Sequence, residues 1–572
     1  MSIKAPGYYL FWAAGGPRTN AGESDVSVRL QQHAGVLVGL ALCRWLACSP
    51  APPPVQFAEV TAQAGLDFVH YNGAQGDYYY VETFGSGAAF FDYDGDGWQD
   101  LFLANGASLS GQRPDPPPTS HLYHNQRDGT FADVTGAVGI GHQGYAMGCA
   151  AADYDEDGDQ DLYLSCFGPN AMYRNDGDHF AEVGRQLGVD DPRWGVSSGF
   201  LDYDLDGDLD LFVVNYVDFA LERNPICQQG KVRSYCEPTV YEPTNSVLYR
   251  NEGRGERFRD VSQEAGIKLK GRGLGVVFFD YDLDGDTDIY VTNDGMMNFL
   301  YENQGGRFVE NGLQAGARFN RDGQALAGMG VDLGDLDNDG NQDLMVTNFS
   351  RETNTLFHNL GQGRFEDLTA RAGLAEPSYL QLGFGLCFLD FDHDMDLDLF
   401  VANGHVTDRI AELDSSLSYA QTNQLLRNEG DLRFADVSAV SGPSFAVKNV
   451  GRAAAMADYD NDGDEDLLVT TEAGPARLLR NDGGDQAHWL SVALVGKAPR
   501  DALGARVTVE AGGVRQVREH QSGRSYLSSH DPRLHFGLGK HTRAQVDVRW
   551  PDGQVQQLGE VAADQFLKLE EP

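Results

Sequence analysis

The sequence predicts an all-β protein, a seven-bladed β-propeller followed by a small β-sandwich domain, on three observations. An acidic segment of the form D-x-D-x-D-G-x-x-D recurs along the chain; an asparagine turn and a phenylalanine-headed strand keep step with it; and the two ends of the repeat region are complementary. The first aspartates of the seven copies are Asp92, Asp153, Asp202, Asp280, Asp335, Asp390 and Asp458, a mean spacing of 61 residues over six steps.

Residues 1–54 read as a leader and tether. Ala34 to Cys43 form a ten-residue apolar run, too short to span a membrane and suited to the core of a secretory signal. The run lies late in the chain, which places the expected start near Val26 or Val28, with Arg29 as the positive flank. "LAC" (Leu46 to Cys48) and "SPAPPP" follow, in the manner of a lipoprotein cleavage site and an extended tether, although Arg44 interrupts the run and Trp45 stands where leucine is preferred. Export and a possible lipid anchor at Cys48 are the expectations, with no transmembrane helix anywhere.

Residues 55–486 are read as the propeller. Each repeat begins with a short apolar strand carrying a small residue five places before the first aspartate: Gly87, Gly148, Ser197, Gly275, Gly330, Gly385 or Ala453. Small residues suit an innermost strand, where neighbouring blades crowd the axis. After the acidic loop and a second strand come "LYHN", "MYRN", "LYRN", "LYEN", "LFHN", "LLRN" and "LLRN", ending at Asn125, Asn175, Asn251, Asn303, Asn359, Asn428 and Asn481. Six of the seven have glycine two places on, which is turn chemistry: asparagine bonds its own backbone and glycine accepts positive φ. The fourth strand starts at Phe57, Phe131, Phe180, Phe258, Phe308, Phe365 or Phe434. Phe57 precedes the first acidic loop and Asn481 has no such strand after it, so the N-terminal strand is expected to complete the last sheet and close the ring. Helical periodicity is weak.

The loops are expected to bind calcium. Carboxylates fall at positions 1, 3, 5 and 9, with a glycine turn at 6 and a backbone carbonyl offered at 7, a hard-oxygen set that suits Ca2+. The predicted ligands are Asp92, Asp94, Asp96, Trp98 and Asp100; Asp153, Asp155, Asp157, Asp159 and Asp161; Asp202, Asp204, Asp206, Asp208 and Asp210; Asp280, Asp282, Asp284, Asp286 and Asp288; Asp335, Asp337, Asp339, Asn341 and Asp343; Asp390, Asp392, Asp394, Asp396 and Asp398; Asp458, Asp460, Asp462, Asp464 and Asp466. Zinc would want histidines and thiolates, which the loops are read as lacking. In the sixth loop Met395 replaces the turning glycine, making Asp390 the doubtful site of up to seven. Strands rather than helices flank each loop, so the framework is a hairpin and not an EF-hand.

Composition agrees. The 572 residues include 85 acidic against 43 basic, a formal charge of -42 that repels nucleic-acid phosphates, while 41% hydrophobic content is that of a folded chain. Seven cysteines are too few for a disulfide scaffold. Cys227 and Cys236 sit in one polar loop and could pair. Cys149 and Cys166 flank an acidic loop and read equally as a pair or as two small core residues; Cys387 has no evident partner.

Residues 487–572 carry alternating apolar positions in "ARVTVEAGGVRQVRE" and a Pro551 to Gly553 turn, predicting a β-sandwich packed on the propeller. Arg506, Arg515, Arg518, Arg524, Arg533, Arg543 and Arg549 make it basic, for docking on the acidic propeller or for capture of an anion, docking being preferred.

With these residues the chain resembles the FG-GAP repeat propellers, the fold of the integrin alpha head. Its tail, from "HWLSVALVG" at His488 through "DALGARVTVEAGG", "SGRSYLSSHDPRLHFGLG" and "VDVRWPDGQ", is similar to the ASPIC/UnbV domain found in the cartilage acidic protein family and its bacterial relatives. "HYNGAQGDYYYVETFGSGAAFFDYDGDG", "YCEPTVY" and "NGHV" agree with it, and the resemblance runs from about Val55 to Leu567. It implies a secreted, periplasmic or surface calcium-binding protein. No nucleophile elbow, phosphate loop, zinc signature or dinucleotide fingerprint is present. The expected role is a recognition scaffold for an extracellular protein or glycan, using the long insertion from Tyr216 to Asn245. The alternative is a lyase or dehydratase acting on sugars at the axial funnel, with His70, Glu82, His142 and His405 as candidates; each reads first as a structural residue.

Overall fold

The computed structural model describes residues 56–110, 114–177, 179–483, 487–497 and 501–572. The leader, the Pro-rich tether and Cys48 lie outside the described residues. Among the described residues strands far outnumber helices, which are all single short turns, and no helix is long and apolar enough to cross a membrane.

Seven four-stranded antiparallel sheets follow one another along the chain. The first is built from Ala88–Phe91, Asp100–Leu103, His121–Asn125 and Phe131–Asp133. The next five repeat this order. The seventh takes Gly451–Ala457, Asp466–Thr471 and Arg477–Asn481 from the end of the repeat region and Phe57–Glu59 from its beginning, with Phe57 opposite Asn481.

The opening strands of the sheets are buried along nearly their whole length. Their small residues answer to close approach: a Cβ on Gly148 would lie 2.3 Å from the Val196 carbonyl of the next sheet, and one on Gly385 would lie 2.2 Å from the Ala454 nitrogen. Between successive sheets sits one apolar cluster after another. Phe90, Leu101 and Leu103 of the first sheet pack with Ala455, Leu468 and Leu478 of the seventh, just as Tyr163 and Met172 of the second pack with Phe200 and Leu211 of the third.

The conserved spacing of the turn asparagines has a second use that turn chemistry alone does not reveal. Each asparagine side-chain amide donates to a backbone carbonyl in the acidic loop of the preceding sheet: Asn175 to Tyr93, Asn251 to Tyr154, Asn303 to Tyr203, Asn359 to Tyr281, Asn428 to Leu336 and Asn481 to Phe391, at 2.7–3.1 Å. Asn125 of the first sheet donates to Tyr459 of the seventh at 2.7 Å. Single helical turns at Thr135–Val138, Gly184–Leu187, Ser262–Ala265 and Gly312–Ala315 follow four of the phenylalanine strands, each ended by a glycine in the left-handed region. They were not legible as helices because four residues carry only one turn.

The tail forms two sheets, one of Val514–Glu519, Arg506–Ala511, Arg543–Arg549 and Val555–Ala562, the other of Leu534–Gly539, His488–Val495 and Phe566–Glu570. Leu490, Val507, Phe536, Val546 and Trp550 fill the core they share. The segment Ser522–Ser529 leaves this domain and enters the space between the opening strands. There Ser525 bonds Val331 and Leu386, the Leu527 carbonyl accepts from Cys149, and Ser529 exchanges bonds with Ala88 and Phe90. Tyr526, fully buried, packs on Phe384 and donates to the Phe84 carbonyl at 3.3 Å.

Arginine docking is visible throughout this contact. Arg524 bonds Asp332 and the Leu333 carbonyl, Arg533 bonds the Asp458 carbonyl and Asn461, Arg506 meets the Gly340 carbonyl, and Arg549 lies 3.7 Å from Asp280. Arg543 instead pairs with Glu560 inside the tail. Cys227 and Cys236 form a disulfide, whereas Cys149, Cys166 and Cys387 are free and buried.

Candidate metal loops and the axial cluster

All seven acidic loops connect the first and second strands of their sheets, and their carboxylates divide the work by position. The position 1 carboxylate turns inward to bond the loop's own backbone: Asp92 accepts from Asp96 N and Gly97 N at 2.9 and 2.7 Å, and Asp280 accepts from Asp284 N and Gly285 N at 3.0 Å each. Position 5 accepts from the position 7 N–H, as Asp96 does from Trp98 at 2.9 Å, which leaves the position 7 carbonyl available. Position 9 is buried and ties the loop to the third strand. Asp100, Asp161, Asp210, Asp288, Asp343, Asp398 and Asp466 each accept the N–H of their turn asparagine at 2.7–2.8 Å.

Position 3 differs. The Oδ1 atoms of Asp155, Asp204, Asp282, Asp337, Asp392 and Asp460 are buried and have no hydrogen-bond partner. Six equivalent buried carboxylate oxygens without a formed hydrogen bond would be costly in an ion-free protein, since a buried acceptor left unmade forfeits its hydration. Burial, with neighbouring carboxylates adding to it, drives several loop groups up: Asp100 and Asp153 to about 8, Asp288 to about 9, Asp460 to about 6. Asp92, Asp94 and Asp96 bring one oxygen each within 4.8 Å of one another, as do Asp153, Asp155 and Asp161, and Asp202, Asp204 and Asp206. An all-oxygen set of this kind fits a hard divalent cation.

Two corrections concern histidine. The third strand brings His124 within 3.1 Å of Asp100 and 3.5 Å of Asp94, and His358 within 2.9 Å of Asp343, so the first and fifth loops have an imidazole beside them. Both stand just before the turn asparagine, where four other repeats carry arginine. The sixth loop contains His393, which turns away from the loop and faces His535 of the tail, Nε2 to Nε2 at 3.0 Å. Met395, at φ +84°, still donates its N–H to Asp390 at 2.9 Å, the bond that glycine makes elsewhere. Its side chain packs against the tail's core.

The four axial candidates do not behave alike. His142 bonds Tyr173 and Cys166 at the flank of the second sheet, apart from the rest. His70, Glu82 and His405 instead surround Arg452 and Glu472, which the sequence reading missed because Arg452 lies in an unremarkable opening strand and Glu472 in the turn just after a second strand. Arg452, fully buried, donates to the carbonyls of Thr83, Gly404, Gly451 and His405. Asn72 bonds Glu472 at 2.6 Å and the Glu82 carbonyl at 3.2 Å, while Tyr235 bonds the Glu82 carboxyl at 2.9 Å. The Nδ1 atoms of His70 and His405 accept backbone N–H groups from Ala473 and Thr407, so Nε2 carries the proton in each. Neither Nε2 has a partner, and Oε2 of Glu472 lacks a hydrogen bond. Burial, reinforced by Arg452, holds His70 down at about 3 and His405 at about 4; burial lifts Glu472 to about 7 against the pull of Arg452.

Against known families, residues 92–164, 153–213, 280–346, 335–401 and 390–469 match the FG-GAP-like repeat. The chain belongs to the FG-GAP-like repeat family. Residues 496–572 of this FG-GAP protein match ASPIC and UnbV. It is similar to cartilage acidic protein 1 of Mus musculus, 30% identical over 307 residues, or 52% of this chain and 44% of the relative. It matches the Homo sapiens protein of the same name at 30% over 308 residues, 52% and 43% of the two chains. The chain thus spans less than half the length of these curated relatives. Among solved structures it resembles rhamnogalacturonan lyase YesW at 13% identity, covering 69% of this chain and 71% of that one with a TM-score of 0.35. An Agrocybe aegerita lectin that recognises terminal N-acetylglucosamine matches at 17%, covering 62% and 79%, with a TM-score of 0.34. Scores this low carry no argument about function.

Proposed function

We propose that the seven sheets are blades of a closed propeller spanning residues 55–486, that its hairpin loops hold up to seven calcium ions, and that it acts outside the cell as a protein or glycan recognition scaffold. The observation that carries this reading is the set of six buried, partnerless position 3 oxygens. Calcium would supply the positive charge and open coordination that those oxygens lack, with positions 1, 5 and 7 completing the shell. The clasp from Asn125 to Tyr459 and the pairing of Phe57 with Asn481 support closure. Affinities of about 0.1 to 1 mM, ordinary for extracellular modules, would keep such loops filled outside a cell and empty in a cytosol. Equilibrium dialysis against 2 mM calcium with metal analysis tests this; five to seven ions per chain are expected, and none bound would end the reading.

The cluster around Arg452 favours a second reading, a lyase or dehydratase acting on a sugar. Two partnerless imidazole N–H groups beside two carboxyls raised by burial could bind hydroxyls and move a proton. Incubation with polysaccharides, followed for new unsaturated or reducing ends and repeated with Glu472→Gln, tests it. Turnover abolished by that change would establish the enzyme, and no turnover on any polymer would leave the scaffold.

A further inference from the structure

The cluster around Arg452 is sealed. His70 and Glu82 are each 2% exposed, His405 1%, Glu472 5% and Arg452 not at all. It lies at the strand ends opposite the acidic loops: His405 and Glu472 follow the second strands of the sixth and seventh sheets, as the Tyr216 to Asn245 insertion follows that of the third. Two layers cover it. The inner one is the segment from Asn72 to Glu82, fixed by the Asn72 amide to the Glu472 carboxyl and the Glu82 carbonyl. The outer one is the insertion, whose hairpin pairs Cys227–Gln229 with Val232–Ser234 and is closed by the Cys227–Cys236 disulfide.

The two layers meet through a few contacts, most of them polar. Asn224 donates to the carbonyls of Asp77 and Tyr78 at 3.3 and 3.2 Å, Arg233 donates to the Asp77 carbonyl at 2.8 Å, and the Tyr235 hydroxyl donates to the Glu82 carboxyl at 2.9 Å. The Arg233 guanidinium lies 4.9 Å over the Tyr78 ring, and the rings of Tyr78 and Tyr235 are 5.0 Å apart. The hairpin tip, Gln228 to Lys231, is exposed and adds no apolar anchor.

Two features work against these contacts and favour opening. Tyr78, gripped by Arg233 and Tyr235, holds φ +58°, a left-handed conformation that is costly for a bulky side chain and can relax only when the grip ends. Beneath it, Nε2 of His70, Nε2 of His405 and Oε2 of Glu472 are buried without a hydrogen bond, and opening returns all three to water or offers them to a ligand.

We propose that the insertion and the segment from Asn72 to Glu82 form a lid over this cluster, closed in the structure, which opens by release of Arg233 and Tyr235 while the sheets stay folded. The proposal rests on the axial site of the second reading and concerns access to that site, not its chemistry.

Carbethoxylation of the full chain by diethyl pyrocarbonate at neutral pH in calcium, with each histidine followed by peptide mass spectrometry, tests it. The reagent attacks neutral imidazole, the form in which burial holds both His70 and His405. His179, whose side chain is 59% exposed, marks the fast limit, and His535, buried against His393, marks the slow one. In the wild type His70 and His405 are expected to react slowly. They should react about tenfold faster in Arg233→Ala, which loses a hydrogen bond and a ring contact, and about threefold faster in Tyr235→Phe, which loses a hydrogen bond alone. Tyr235→Phe keeps the ring packing, so the test survives should Arg233→Ala misfold. Rates unchanged in both variants would overturn the proposal, as would a rise at His535 in step with His70, which is unfolding and not the opening of a lid. Sugar turnover plays no part in the readout, so the lyase reading stands or fails separately.

Discussion

Replacing Asp460 by asparagine is expected to destabilise the protein in calcium and to stabilise it in chelator. Its Oδ1 is buried with no partner, and burial, with Asp462 adding and Arg480 opposing, lifts the carboxyl to about 6. In a metal-free loop that raised value means the charged form is disfavoured at neutral pH, by about 1 kcal/mol once its partial exposure is discounted for solvent screening. The neutral amide relieves this cost. With calcium at about 10 mM and a site affinity of about 0.1 to 1 mM, occupancy contributes roughly 1.4 to 2.7 kcal/mol, which the variant forfeits. For a repeat region of roughly 430 residues, unfolding entropy near 2.1 cal/mol/K per residue converts the net loss, the forfeited occupancy less the roughly 1 kcal/mol relieved, into about 0.5 to 2 °C down in calcium, and the relief alone into about 1 °C up in EDTA. Differential scanning calorimetry of both proteins in both buffers reads the two signs directly. A shift of the same sign and size with and without calcium would refute the assignment of position 3 to the ion.

Four further outcomes follow from particular contacts. Asn251→Ala removes the clasp to Tyr154 and leaves buried groups unpaired, costing about 1 to 3 kcal/mol in urea unfolding, whereas an asparagine serving only its own turn would cost less. Tyr526→Ala empties a fully buried site between the sheets and should cost about 3 to 5 kcal/mol, read as a lower denaturation midpoint for the repeat region as well as the tail. Burial would raise Asp332, but Arg524 and His530 outweigh it and leave the group lowered. The stability it contributes is therefore present above its unfolded value near 3.8 and is lost as pH falls below that, and Arg524→Ala should flatten this acid limb in melts between pH 2 and 5. Arg452→Lys cannot reach four carbonyls with one ammonium, so a loss of about 3 kcal/mol is expected in chemical denaturation despite the conserved charge.

What the sequence made legible and what it hid follow from the range of the interactions involved. A metal loop needs its oxygens at fixed local spacing, so all seven hairpins could be read from residue order, and the complementary ends at Phe57 and Asn481 exposed the pairing between them. The asparagines were half legible: the bond Asn175 accepts from the Gly177 N–H is local, but its donation to the Tyr93 carbonyl crosses 82 residues and leaves no local mark. "RSYLSS" reads as a polar turn, yet Tyr526 is among the most buried residues, because its burial is decided by the depth at which the tail enters between the sheets. Met395 shows the same effect inverted. Judged against the loop pattern it is a defect; judged against the tail it is a packing residue, and the backbone accepts φ +84° because the domain above covers it. Departures from a repeat are therefore best read as places where something outside the repeat makes contact. By that reasoning the sixth loop marks the docking site of the tail, and the disulfide-braced insertion between the second and third strands of the third sheet is the other place where the repeat is interrupted.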